Sequence, residues 1–187
     1  MMTQLLPPPG LDPVLRQYDA GGAGEWLPDA EIRKYTNAFV IQGSDILLGF
    51  KKRGLGVNKY NGFGGKVEPG ESALDAALRE LKEEAGIEAP LELAGTLLFV
   101  VPGEKWAHID IFRAESYSGA LTESDEMRPE WFSVDNLPFD SMWDSDRHWL
   151  PLLLGKTPFA VRADFERSSP DVYVPRRWWV GVPENSK

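Results

Sequence analysis

A chain of 187 residues that is 42% hydrophobic is long enough for one well-buried domain with short appendages. Its 29 acids against 20 bases leave a formal charge of −9, which argues against docking on nucleic acid polymers, where Lys and Arg contacts to phosphate dominate, but not against a small nucleotide held through a cation. Without cysteine there are no disulfides, thiolate nucleophiles or thiolate zinc sites, and His108 and His148 are too few for a histidine-rich metal centre, so each reads as a surface or packing residue.

Residues 1–33 are rich in Pro and Gly and read as a flexible or loosely docked extension. Arg16 is the only base before Arg33, so this segment is neither a signal peptide nor an Arg-rich transit sequence, and a cytoplasmic or nuclear location is expected. No apolar run reaches the roughly 18 residues of a membrane span, so no membrane partner is expected. The ordered domain is expected over 34–166. TNAFVI from Thr36 and DILLGFKK from Asp45 read as a hairpin turned at Gly43-Ser44. Asn61-Gly62, Gly64-Gly65 and Pro69-Gly70 then mark a bent loop. Ser72 with Asp75 forms a capping box, in which the hydroxyl accepts from the third helical N–H and the acid answers the cap's own N–H. The helix runs from about Ala73 to Ala85 and stops at Gly86.

Further strands are expected in LELAGTLLFVV from Leu91, AHIDIFRA from Ala107, EWFSV from Glu130 and FAVRADF from Phe159. SDRHWLPLLLG from Ser145 reads as a second helix capped near Ser145 or Asp146, with Pro151 early in it or kinking it. Residues 167–187 form a C-terminal tail in which Arg176, Arg177, Trp178 and Trp179 either stack on a base or dock on the tail's own domain. Strands in mixed order around two helices predict an α/β fold, an α/β/α sandwich with a mixed sheet.

At about 100° per residue, Leu74, Ala77, Leu78, Leu81 and Ala85 gather on one side of the first helix, expected to face the core, and Ala76, Glu80, Glu83 and Glu84 on another, with the acids expected to face outward. Three carboxylates within a turn repel one another, and an oxygen-rich cluster of this kind suits Mg²⁺ or Mn²⁺ rather than zinc. The plain alternative is a solvated acidic face.

The spacing decides between them. Gly65, Glu71, Arg79, Glu80, Leu81, Glu83, Glu84, Gly86 and Ile87 follow Gly, five residues, Glu, seven residues, Arg-Glu-aliphatic, one residue, Glu-Glu, one residue, Gly-aliphatic, and so match the Nudix signature at every position. LLGFKKRGLGVNKYNGFGGKVEPGE from Leu47, SDEMRPEWF from Ser124, LPFDSMW from Leu137 and WLPLLLGK from Trp149 extend the resemblance to the animal oxidised-purine nucleoside triphosphatases, the MutT homologues, over about residues 35–165.

The resemblance implies that Glu80 and Glu84, with the carbonyl of Gly64, bind Mg²⁺, and that Glu83 is a further ligand or the base. Glu126 is another candidate ligand or base, its plain reading being an exposed loop acid. Arg79 is expected to hold Glu83 or a neighbouring acid in place, and Glu71 to fasten the loop. Lys51 is matched to a lysine at the pocket mouth that meets a phosphate or the sugar. For the base, the resemblance implies stacking on Trp143, reading by Asn61 and Asp146, and a lining of Thr36, Phe99, Trp149 and Phe165; the last three also suit ordinary core. Three positions depart from the relatives: Ser145 stands where a second acid precedes the one matching Asp146, and Leu55 and Ala107 stand at aromatic and thioether positions. The expected function is therefore Mg²⁺-dependent hydrolysis of oxidised purine nucleoside triphosphates, 8-oxo-dGTP or 2-hydroxy-dATP, to monophosphate and pyrophosphate by a monomer. The alternatives are another nucleoside diphosphate derivative, such as ADP-ribose or a dinucleotide, and a non-catalytic nucleotide-binding module, which would commonly have lost a glutamate that this signature keeps.

Overall fold

The computed structural model describes residues 6–169 and 172–184, so the parts of the N-terminal extension and the tail at 1–5, 170–171 and 185–187 lie outside the described residues. In chain order the elements are β1 (Leu15–Gly22), β2 (Ile32–Gln42), β3 (Asp45–Lys51), β4 (Tyr60–Asn61), α1 (Ala73–Ala85) and β5 (Glu92–Val100). They continue with β6 (Trp106–Ala114), β7 (Met127–Ser133), a 3-10 turn (Phe139–Ser141), α2 (Asp146–Leu154), β8 (Phe159–Ser169) and β9 (Val172–Pro183). The chain divides into two units: one holds the N-terminal segment to Arg33, Ala94–Ile109 and everything from Asp144, and the other holds Lys34–Leu93 and Asp110–Trp143.

In the second unit, β2 and β3 pair antiparallel through Val40↔Leu47, Ile41↔Ile46 and Gln42↔Asp45, and Gly43 at φ +60° makes the expected turn. β3 also pairs antiparallel with β7, from Asp45↔Ser133 to Lys51↔Met127, and with the short β4. Thr36 to Ile41 and Ile46 to Leu48 are all buried, as a near-continuous apolar run implies for strands covered on both faces. Ala38, Val40 and Leu47 share one core with Ala77, Leu81 and Ala85 of α1.

The bounds of α1 are those expected, with Gly86 in the left-handed conformation at φ +75°. Its cap differs in one detail. The Asp75 N–H donates to the Ser72 hydroxyl at 3.1 Å, but the hydroxyl in turn donates to the Asp75 carboxylate at 2.6 Å, so the acid meets the cap's side chain rather than its backbone N–H. The buried face also differs. It comprises Ala76, Ala77, Leu81, Glu84 and Ala85, whereas Leu74, expected inside, is 41% exposed. The glycine loop that precedes the helix lies against its Glu80 and Glu84 side and takes both out of full solvent contact.

In the first unit, β9 pairs antiparallel with both β1 and β8, and β8 runs parallel to β5, so the sheet is mixed as expected. The extension read as flexible or loosely docked thus carries a registered strand, Leu15↔Pro183 to Gly22↔Arg177. Gly21 lies flat on the Trp178 indole, where any Cβ would collide. His148 stacks on the same indole at 4.4 Å and bonds Asp19 at 2.6 Å, joining α2, β1 and β9 as a packing residue. Fully buried Arg162 donates to both oxygens of Asp164, to the Pro9 carbonyl and to the Leu27 carbonyl, and lies over the rings of Trp26 and Trp106. The tail docks on its own unit through β9. Pro151 sits inside α2 rather than at its start, and the helix continues past it, with the Gly155 N–H closing on the Pro151 carbonyl.

Candidate active site

The loop between β4 and α1 is laced to β2. Ala38 and Phe63 exchange backbone bonds of 2.7 and 2.9 Å, Thr36 N–H donates to Gly65 and Val67 N–H to the Lys34 carbonyl. The Gly64 N–H is turned the other way and donates to the Glu84 carboxylate at 2.8 Å. No side chain fits here: a Cβ on Gly64 would strike the Thr36 carbonyl, and one on Gly65 would strike the Glu80 carboxylate. The glycines are therefore the condition for bringing backbone polar groups onto the acidic face of α1.

Glu84 is 3% exposed. Burial pushes its carboxyl up to about 7, against the opposing pull of the Lys51 ammonium and the Gly64 N–H. Lys51, at the end of β3, reaches Glu84 at 3.3 Å and Glu126 at 2.7 Å, and so joins the helix acid to the downstream acid. Glu126 is also met by Arg53 at 3.3 Å, and its carboxyl is held low, chiefly by the Lys51 hydrogen bond. It is a partly covered acid in an ion-pair network rather than a free loop residue.

Arg79 grips Glu71 with two bonds, of 2.9 and 3.0 Å, and reaches Glu80 at 2.8 Å, Glu83 at 3.4 Å and the Lys66 carbonyl at 3.2 Å. Glu71 in turn accepts from the Glu68 N–H at 3.0 Å. Arg79 thus bonds three acids of the signature at once, and Glu71 bonds both Arg79 and the loop backbone. Glu83 stays mostly exposed.

Of the residues expected to meet a base, Thr36, Asn61 and Trp143 belong to this same unit. Thr36 is 3% exposed, and its hydroxyl has no hydrogen-bond partner among the described residues. Asn61 accepts from the Asn37 side chain at 2.8 Å and from the Gly62 N–H at 2.9 Å. The Lys59 ammonium lies 5.4 Å from the centre of the Trp143 ring and donates to the Met142 carbonyl at 3.0 Å. Leu55 is exposed. Phe99, Asp146, Trp149 and Phe165 belong to the other unit, and all four are buried. There Phe99 stacks on Phe165 at 4.2 Å and Trp149 on Phe159 at 5.3 Å, so these three rings are core in their own unit. Ser145 is buried beside Asp146 in sequence, with no partner for its hydroxyl among the described residues.

Residues 32–153 match the NUDIX domain. The chain belongs to the Nudix family. It is 48% identical over 126 residues to an oxidized purine nucleoside triphosphate hydrolase of Danio rerio, spanning 66% of this chain and 81% of that protein. The relative of the same name in Mus musculus is 44% identical over 136 residues, 72% of this chain and 87% of the relative. A mutator MutT protein of Bacillus halodurans superposes with a TM-score of 0.63 over 79% of this chain and 97% of its own, at 23% identity, which speaks to the fold alone.

Nudix hydrolases generally need a divalent metal, and the oxygen donors here suit one: carboxylates of Glu80, Glu83, Glu84 and Glu126 and the carbonyl of Gly64. Among the described residues these acids do not converge into a ready cage. Lys51 holds Glu84 and Glu126, and Arg79 holds Glu80 and Glu83. The Lys51 ammonium thus stands where positive charge is wanted, and this flexible side chain can swing toward solvent when a stronger cation arrives, while Arg79 stays anchored on Glu71. The donor set fits.

The residue that the Nudix signature and its flanks do not flag is Asn37. It is 8% exposed, bonded to Asn61, and its own carbonyl oxygen has no hydrogen-bond partner among the described residues. A buried acceptor left unmet costs about 1–3 kcal/mol, so such an atom marks a place for water or ligand. The signal in the sequence was an amide inside TNAFVI, a run otherwise composed of strand formers.

Proposed function

We propose that this Nudix protein hydrolyses oxidised purine nucleoside triphosphates, 8-oxo-dGTP first among them, to the nucleoside monophosphate and pyrophosphate with Mg²⁺, and so clears damaged nucleotides from the pool. The observation that carries the reading is the buried Glu84, held between the Gly64 N–H and Lys51 and linked through that lysine to Glu126. A solvated acidic face has no such arrangement. The names of the two vertebrate relatives support the choice of substrate.

In this reading Glu80, Glu84 and the Gly64 carbonyl hold Mg²⁺, with Glu83 and Glu126 as the further oxygens. When bound, the ion neutralises charge on the phosphate chain and lowers the pKa of water. The attack is in line: water oxygen bonds to phosphorus, the bridging oxygen leaves with pyrophosphate, and one proton is lost to Glu83 or Glu126. Arg79 keeps Glu80 and Glu83 from splaying apart, and Lys51, once released from the acids, meets a phosphate or the sugar. Trp143 offers a face for stacking, and Asn61 and Asp146 read the base edge. We place the reaction in residues 34–166, in a monomer, in the cytosol or nucleus.

Product chromatography over 8-oxo-dGTP, 2-hydroxy-dATP, dGTP, ADP-ribose and NADH, with and without Mg²⁺, tests this directly. Monophosphate and pyrophosphate from the oxidised purines, in Mg²⁺ only, are expected; cleavage of ADP-ribose alone would overturn the substrate claim. Asp146→Ala is expected to cut the preference for 8-oxo-dGTP over dGTP by about tenfold, the worth of one hydrogen-bonded base contact. An unchanged ratio of kcat/KM values would remove Asp146 from the reader.

A further inference from the structure

Asn37 stands outside the acid cluster and outside every role assigned above. Its Nδ2 donates to the Asn61 carbonyl at 2.8 Å, and the Gly62 N–H donates to the same oxygen at 2.9 Å. A backbone N–H can only donate, so it decides which end of the Asn61 carboxamide is oxygen. Asn37 must then present its own NH₂ to that oxygen, and its carbonyl is left over. That carbonyl is buried and has no partner among the described residues. It lies close against Gly62, in space that a side chain on Gly62 would fill.

Two consequences follow for a ligand. The Asn61 oxygen is engaged twice, so Asn61 has only its NH₂ to offer. The Asn37 oxygen is an acceptor still wanting a donor. We propose that Asn37 is a specificity-determining residue of the base site: together with the Gly62 N–H it occupies the Asn61 oxygen, which leaves Asn61 a donor, and it supplies the neighbouring acceptor, so that the pair reads a purine edge carrying an acceptor beside a donor. This rests on the reading of Asn61 as an amide reader given above. Guanine and 8-oxoguanine both carry such an edge at O6 and N1–H. Only the oxidised base carries one at O8 and N7–H, because N7 of unmodified guanine has no hydrogen.

The experiment compares kcat/KM on 8-oxo-dGTP and dGTP for the full chain and for N37L, N37D and N61A, with a thermal melt of each. N37L keeps the heavy-atom branching of the side chain and removes both polar functions. N37D cannot donate to Asn61 and sets a carboxylate oxygen against the Asn61 carbonyl, whose sense the Gly62 N–H still fixes. N37L is expected to lose about tenfold in kcat/KM on 8-oxo-dGTP, more in KM than in kcat, and N37D to lose more. A fall confined to 8-oxo-dGTP assigns the O8/N7–H edge, and an equal fall on both nucleotides assigns O6/N1–H. Either result supports the proposal. If N61A loses activity while N37L and N37D keep the parent values on both nucleotides, this inference fails alone. A loss that merely tracks a lowered melting temperature in both Asn37 variants marks a packing role and overturns it as well. If the parent turns over no purine triphosphate, the functional reading itself is wrong.

Discussion

Replacing Glu84 with glutamine should lower Mg²⁺-dependent turnover by about a thousandfold while leaving the fold intact, because the amide keeps the shape of the carboxylate but not the charge that a divalent cation requires. The same change has a signature in stability. The Glu84 carboxyl is raised from 4.5 to about 7, chiefly by burial, so the folded chain binds a proton that the unfolded chain releases. Its favourable contribution is complete below about pH 4.5 and is lost as pH rises through about 7. In metal-free buffer at pH 8, E84Q should therefore be more stable than the parent, on the order of 2 kcal/mol. Adding Mg²⁺ should raise the melting temperature of the parent at pH 8 and hardly move that of E84Q. Full turnover by E84Q, or equal responses of the two proteins to Mg²⁺, would remove Glu84 from the metal site.

Arg162→Ala should cost about 3–5 kcal/mol, the penalty for stripping the partner from a buried charge. Both side chains of the Arg162–Asp164 pair are fully buried. The guanidinium also holds the carbonyls of Pro9 and Leu27, at 2.8 and 2.7 Å, and lies over the rings of Trp26 and Trp106. The variant should melt about 10 °C lower, and protease should cut its N-terminal segment first. R162M/D164L, which removes both charges, should recover much of the loss, since an apolar pair leaves no uncompensated ion. A melting point for Arg162→Ala within about 2 °C of the parent would show that the clasp contributes little.

Part of the active site was legible because it is written in contiguous sequence. Ser72, Asp75 and Gly86 are local signals, and the bounds of α1 followed from them. The turn at Gly43-Ser44 was legible on the same grounds, since a hairpin turn lies beside the two strands it joins. Helical periodicity misjudged Glu84 and Leu74. It knows the angle of a side chain around its own helix, but not that a glycine loop will cover one flank and leave another open. The Lys51 bridge from Glu84 to Glu126 spans separations of 33 and 75 residues, and no window along the chain contains it.

The order of residues determined the chemistry: oxygen donors at helical spacing, glycines before them, no thiols, and the membership of a family that uses such donors. Tertiary structure alone decided which donor is buried, which cation attends it, that Asn37 and Gly62 both engage the Asn61 oxygen, and that residues 9–27 are clasped by Arg162 and His148. These contacts join residues up to 153 positions apart. Their energy comes from desolvation and pairing, which depend on what surrounds a group and not on its neighbours in the chain.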